Sequence, residues 1–300
     1  MFQYHKQLRS FYAVARQGGF TAAARYLHVG QPTVTGQVRQ LEVRFGVELF
    51  LRQGKSVTLS PAGEQLYAVA KSMFGHEEEA MQLLQALPSR QAGQLRLGAV
   101  SPPIAVELMA QMAKAQPGMQ LSLTVADEGE TLNLLRDFNI DVGLLARVPE
   151  DAGLHSVLYR SRPIVAVLHR DHPLAGKASI SLRELAAQDL VLREPSSKTR
   201  QIVQQAAAQR KLTLQPRLEI NSREAILHAV RAGMGCSFVT DVEFFDHAEL
   251  RAVPIERGRL RIDYFLCCLA TRTQRPHIAA LLAHAAVRAK AGAQARGNRP

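Results

Sequence analysis

Over the first sixty residues apolar side chains recur every three to four positions, the period of short helices with one buried face. Leu8, Phe11, Tyr12 and Ala15 mark a first helix, ended by Gly18-Gly19. Thr21 reads as the N-cap of a second helix over 22–27, and His28-Val29-Gly30 as a turn. Pro32 stands in the first turn of a third helix, whose Val34, Val38, Leu41 and Phe45 form the expected buried face. LFLRQGKSVTLS then alternates like two short strands around Gln53-Gly54-Lys55. Ser60-Pro61 caps a long helix reaching about residue 87. Leu66, Val69, Met73, Ala80, Leu83 and Leu87 keep a three-four spacing along it, with His76 at one polar position. Such a stripe fits either dimerisation or packing on the same chain, and the sustained spacing favours dimerisation.

From Gln94 the period changes. GQLRLGAV reads as a strand, 104–116 as a helix ended by Pro117-Gly118, LSLTVAD as a strand, 131–138 as a helix and DVGLLA as a strand. A second half repeats the scheme with PIVAVLH, LVLRE, a helix over 197–209, LEI, a helix over 222–232 and GCSFVT. YFLCCLA returns as an apolar strand before a last helix over 278–288. This alternation predicts an α/β fold with parallel sheets and helices on both faces. Two similar lobes with a late return segment predict a hinged pair with a ligand cleft between them.

Charge changes the picture of the N-terminal part. The chain has 300 residues and a formal net charge of +11. Residues 1–60 carry eight basic side chains against Glu42 and Glu48, and six more basic residues follow from Arg272 with no acid. A near-neutral body with a basic head points to a polyanionic partner for the head. The end segment AKAGAQARGNRP reads as a frayed, solvated terminus.

The third helix is composed oddly for a surface helix. Its first turns hold the poor helix formers Thr33, Thr35 and Gly36, and its outer face shows Gln31, Thr33, Gln37 and Gln40 with no carboxylate until Glu42. A helix entering the major groove needs that composition. Carboxylates would be repelled by phosphates, short neutral side chains reach base edges, and small residues let the backbone approach. Gln31, Pro32, Thr33, Thr35, Gln37 and Gln40, with Thr21 on the preceding helix, are therefore the expected DNA-facing residues, and Arg39, Arg52 and Lys55 the phosphate clamps.

FTAAARYLHVGQPTVTGQVRQLEVRFGVELFLRQGKSVTLSPAGEQL resembles the N-terminal domain of LysR-type transcriptional regulators, and the domain order is similar along nearly the whole chain. The resemblance implies a winged helix-turn-helix over 1–59, a dimerising linker helix over 60–90 and a two-lobed α/β effector domain of periplasmic-binding-protein type over 91–300. Lobe I is expected at about 91–163 plus 268–300 and lobe II at about 164–267. It further implies double-stranded promoter DNA as partner, a homodimer or homotetramer, and promoter bending that changes when a small molecule binds. Gly30 stands where the family usually has Ser before Gln-Pro, and Thr35-Gly36 where it commonly has Ser-Arg, so the operator sequence is not carried over. GQLRLGAVSPP, RDHPLAG, LVLREPSSKTRQ and INSREAILHAVRAGMG resemble, more narrowly, the branch associated with catabolism of 2-aminoethylphosphonate, while neighbouring branches sense carboxylates.

The effector half supports an anionic ligand on its own chemistry. In REPSSKTR a strand gives way to a helix at Ser196, Ser197, Lys198 and Thr199, which combines free backbone N–H groups, hydroxyls and an ammonium. Ser101 and Pro102 begin a helix in the same way in the other half. Both serines serve as helix caps, with or without ligand contact in addition. Asn221-Ser222-Arg223 opens a further helix and is a further candidate for ligand contact, Arg147 reaches either the cleft or bulk solvent, and an amine on the ligand would need Asp127, Glu128 or Glu130.

The remaining chemistry is mostly negative. His169, Asp171 and His172 do not make a coordination sphere, so no metal is expected, and no cofactor. No GxSxG, P-loop or paired nucleophile and base occurs, so no catalytic residue is assigned. Cys236, Cys267 and Cys268 sit in apolar surroundings and read as reduced core thiols. With no apolar run of membrane-spanning length and no leader-like N-terminus, a cytoplasmic, nucleoid-associated protein without membrane contact is expected. Two rival readings are an architectural DNA binder without effector control and an enzyme carrying an accessory DNA-binding domain.

Overall fold

In the computed structural model the described residues are 4–53, 56–86, 93–245 and 247–297, in two compact units, Met1–Gln91 and Ala92–Pro300. The first unit comprises α1 (His5–Gln17), α2 (Phe20–Leu27), α3 (Gln31–Phe45), the hairpin β1 (Phe50–Gln53) and β2 (Ser56–Leu59), and α4 (Pro61–Ala86). Phe11, Val14, Ala23, Ala24, Val34, Val38, Leu41 and Leu49 form its core. Burying Val34, Val38 and Leu41 contributes about 1.5–3 kcal/mol each, against roughly 0.5–1 kcal/mol lost at each of Thr33, Thr35 and Gly36. Tertiary packing therefore holds α3 in shape despite its weak propensity.

Local corrections follow from geometry. The second helix starts at Phe20 behind Gly19, so Thr21 is a first-turn residue and not the cap. Phe45 is 58% exposed, with its ring set edge-on to that of Tyr4 at a centroid distance of 5.4 Å. The first carboxylate of α3, Glu42, turns back into the fold. Its Oε1 accepts the Leu49 N–H at 3.0 Å and the Phe50 N–H at 3.4 Å, which fixes the entry into β1. Ser60 caps α4 as expected, accepting the Gly63 N–H at 3.0 Å. Gly63 is required there, since a Cβ would lie 2.1 Å from the Leu49 carbonyl oxygen. Along α4, Ala70 and Phe74 pack inward, whereas Val69, Met73, His76 and Ala80 of the expected seam stay exposed. The seam positions Leu83 (side chain) and Leu87 lie outside the described residues.

The second unit contains β3 (Gln94–Ala99), α5 (Pro102–Ala115), β4 (Gln120–Val125), α6 (Glu128–Arg136), β5 (Val142–Leu145) and β6 (Leu154–His169). Next come α7 (Leu182–Ala186), β7 (Leu190–Leu192), α8 (Lys198–Ala208), β8 (Pro216–Glu219), α9 (Arg223–Arg231) and β9 (Ser237–Thr240). The unit ends with β10 (Leu250–Pro254), β11 (Arg261–Leu269) and α10 (Pro276–Gly297). One sheet runs in the order β10-β6-β11-β5-β3-β4, and β9 also pairs with β6. Strands β3, β4 and β5 are mutually parallel, as are β7 and β8. The expectation of parallel sheets is corrected elsewhere. Strand β11 lies antiparallel between β5 and β6, and β9 and β10 lie antiparallel to β6, because these strands enter beside their neighbours from the opposite end.

Strand β6 joins the lobes. Its first part pairs with β11 up to Pro163, and from Ile164 onward it pairs with β9 and β10. β11 pairs in the first-lobe sheet from Arg261, and Ile262, Tyr264 and Leu266 pack in the core of that lobe, so the return begins at Arg261 and not at the expected 268. Arg272 and Arg275, counted above with the basic end, converge instead on the buried Asp141 carboxylate at 3.2 and 3.8 Å. Helix α10 continues to Gly297, well into the segment expected to be frayed.

Candidate functional site

In the first unit, the start of α3 presents a polar face. Gln31, Pro32, Thr33, Gly36, Arg39 and Gln40 are exposed, and Thr35 is half-buried. Their outward position follows from the spacing of Val34, Val38 and Leu41, which turn the opposite side into the core. The turn before α3 is sharp: His28 takes a left-handed conformation at φ 55°, and the Val29 N–H returns to the Ala24 carbonyl at 3.0 Å. Thr21 is exposed and donates from its hydroxyl to Gln31 Oε1 at 3.0 Å, so α2 sets the rotamer of a presented amide. Gln40 Oε1 accepts from Gln7 Nε2 at 3.1 Å.

Gln37 departs from expectation. It is half-buried, and its Oε1 accepts the hydroxyl of the buried Ser10 of α1 at 2.5 Å, so part of its side chain is engaged inside the fold. Lys55 and the side chain of Arg52, expected as phosphate clamps, lie outside the described residues; the backbone of Arg52 pairs with Val57 in the hairpin.

In the second unit a cleft of about 680 Å³ opens between the lobes. It brings together Arg147, Ser196, Ser197, Lys198, Thr199 and Asn221 of the expected set, together with Asp127 and Glu128. Ser101 and Pro102 do not line it. Ser101 is fully buried, and its hydroxyl approaches Glu243 Oε1 at 3.4 Å. Nor do the two serines cap as expected: neither Ser101 nor Ser197 makes a side-chain bond to its helix. Glu130 lies outside the lining as well, and its N–H donates to Asp127 Oδ1 at 2.8 Å.

Of the helix starts on the cleft, those of α6 and α8 differ electrostatically. That of α6 is already served by acids, with Asp127 as N-cap and Glu128 and Glu130 in the first turn. That of α8 has no acid in its first turn, and the N–H groups of Lys198 and Thr199 have no acceptor among the described residues. A helix N-terminus in that state favours an anion. Nearby charges are mostly matched: Arg147 Nε meets Glu128 Oε2 at 3.1 Å, and Arg193 grips Glu194 with two bonds of 2.7 Å. Burial would raise the Glu194 carboxyl, but the Arg193 hydrogen bonds and the charge of Arg223 hold it below its ordinary value, so it stays ionised. Lys198 makes no ion pair among the described residues, leaving one uncompensated cation beside the open amides.

Arg223 of the candidate Asn221-Ser222-Arg223 lines the cleft, whereas the pairing Arg193-Glu194, Gln201 and Tyr264 were not legible as site residues. The run LVLRE signals a strand end but not which lobe it faces, and Tyr264 sits on the strand whose return point was misplaced. Among the described residues no group of His, Cys, Asp and Glu could hold a metal ion. Burial pushes the thiols of Cys236, Cys267 and Cys268 up to about 12, about 11 and about 11, which keeps them protonated.

Comparison with known proteins identifies the architecture. The description "Bacterial regulatory helix-turn-helix protein, lysR family" matches residues 5–64, and "LysR substrate binding domain" matches residues 88–289. The chain is 35% identical over 237 residues to the RuBisCO operon transcriptional regulator of Allochromatium vinosum, covering 78% of each protein. It is 33% identical to the regulator CfxR of Cupriavidus necator, covering 78% of this chain and 75% of that one. Among solved structures it is similar to full-length OxyR of Pseudomonas aeruginosa, with a TM-score of 0.74, 25% identity and coverage of 94% and 93%. It also shares the fold of CbnR solved with its target DNA, at a TM-score of 0.69, covering 95% of this chain and 99% of that one. The Allochromatium vinosum relative is named for the RuBisCO operon, and none of these names mentions phosphonate catabolism, so the narrower branch resemblance finds no support in them. With both halves matched in order, the chain belongs to the LysR family of DNA-binding transcriptional regulators, which are not enzymes.

Proposed function

We propose that this regulator reads promoter DNA with the exposed face of α3 and is switched by a small organic anion held at the start of α8. In this reading residues 1–59 bind double-stranded DNA, 60–90 pair two copies through the outward stripe of α4, and 91–300 bind the effector. The protein works in the cytoplasm, on the nucleoid, as a homodimer or homotetramer. The observation that carries the effector assignment is the contrast between the starts of α6 and α8 on the cleft, the first filled with carboxylates and the second open beside Lys198.

The acids near the cleft are engaged, Asp127 by a backbone N–H and Glu128 by Arg147 and the Ala146 N–H at 3.2 Å. The anionic end of the ligand therefore dominates recognition, which fits phosphonates, phosphates and carboxylates alike. 2-Aminoethylphosphonate is the member of this class favoured by the narrower sequence resemblance. Calorimetric titration of the full-length protein with phosphonates, phosphate esters and dicarboxylates ranks them. Binding of one class that Thr199→Ala and Lys198→Ala weaken, with DNA affinity retained, is the expected result. Absence of heat for every anion would overturn the assignment. Because the Allochromatium vinosum relative is named for the RuBisCO operon, a promoter of that kind is the first duplex to assay.

A further inference from the structure

Arg223 is the first residue of α9 in the second lobe and lines the cleft, yet its guanidinium is also spent on contacts between lobes. Nη2 donates to the Val100 carbonyl of the first lobe at 2.8 Å, and Nε meets Glu243 Oε1 at 3.0 Å. Glu243 is 5% exposed, follows β9 of the second lobe, and is itself approached by the hydroxyl of Ser101 from the first lobe. Its Oε2 accepts the Thr240 N–H at 3.2 Å. Val100, Arg223, Glu243 and Ser101 thus form one polar bridge across the hinge. Arg223 Nη1 makes no hydrogen bond among the described residues, so donors remain for a ligand in the cleft.

We propose that Arg223 is the positioning residue that couples anion binding to the lobe–lobe bridge. The guanidinium is planar and rigid. An anion on Nη1 orients the whole fork, and with it the bonds to Val100 and Glu243. A ligand that binds the bridged arrangement better populates it in proportion, and bridging raises ligand affinity by the same factor. Lysine at this position keeps the charge but offers one nitrogen, which cannot serve the ligand, the Val100 carbonyl and Glu243 together. The proposal rests on the anion site at the start of α8.

The test uses full-length protein with inorganic phosphate as probe, reading phosphate affinity by calorimetry and hydrogen exchange at the amides of Val100 and Thr240. In the unsubstituted protein phosphate should slow exchange at both amides by about fivefold or more. In Arg223→Lys phosphate should still bind, weakened by no more than about tenfold, while the slowing disappears. Glu243→Gln, which keeps the shape and removes the charge, should reduce the slowing in the same way. Equal slowing in Arg223→Lys would overturn the coupling role and leave the anion site standing, and loss of all phosphate binding in Arg223→Lys would make Arg223 a plain ligand contact. No phosphate binding by the unsubstituted protein would remove the anion site and the coupling with it.

Discussion

Gly36 lies in the middle of α3, on the exposed face between Thr33 and Gln40, and a Cβ built on it meets no atom within 4 Å. Its conformation is open to any residue, so nothing inside the protein requires glycine. Gly36→Ala should therefore stabilise the helix by about 0.8–1 kcal/mol through propensity, and raise the melting temperature of the N-terminal unit by about 4–8 °C per kcal/mol. On DNA the same methyl group should do harm. If α3 seats its first turns against the groove, an added carbon at the closest approach costs about 1–2 kcal/mol of fit, or roughly a tenfold loss in affinity. Scanning calorimetry of the full-length protein gives the first quantity, and fluorescence anisotropy with a labelled promoter duplex the second. Opposed signs, more stable and weaker on DNA, are the expected outcome. A stabilised variant with unchanged affinity would show that Gly36 does not approach the duplex, and a destabilised variant would refute the open space around it.

Two further outcomes follow from particular contacts. Gln37→Ala removes the acceptor of the buried Ser10 hydroxyl and should cost about 1–2 kcal/mol in thermal stability of the first unit, while base preference stays as it was; altered base preference would return Gln37 to the reading face. Cys236, Cys267 and Cys268, held protonated by burial, should stay silent towards a thiol reagent at pH 8 and all react after guanidinium denaturation, whereas rapid reaction of the native protein would contradict their burial.

How much of this was legible in the sequence depends on how local each contact is. The three helices of the head, the turn at Gly30 and the capping of α4 by Ser60 were readable because periodicity and caps act over a few residues. The bond from Ser10 to Gln37 was not readable because Ser10 belongs to another helix, and side-chain type alone does not announce such a contact. Ser101 was not legible for the same reason: it is buried, and its hydroxyl approaches Glu243, a residue distant in sequence. The first part of β6 was missed since HSVLYRSR mixes charges into an alternating strand, and the antiparallel return of β11 could not be read from an apolar run that carries no direction. The start of α8 was legible, as an absence of acids next to lysine and hydroxyls survives folding unchanged.

The central claim is that the exposed side chains at the start of α3 read bases. Selection from a pool of random duplexes tests it directly and needs no operator sequence, comparing the unsubstituted protein with a Thr33→Ala, Gln40→Ala double variant. The account predicts one enriched motif for the first and a relaxed or shifted motif for the second, with similar binding to unselected DNA. The same motif from both proteins, or no motif from either, would contradict it.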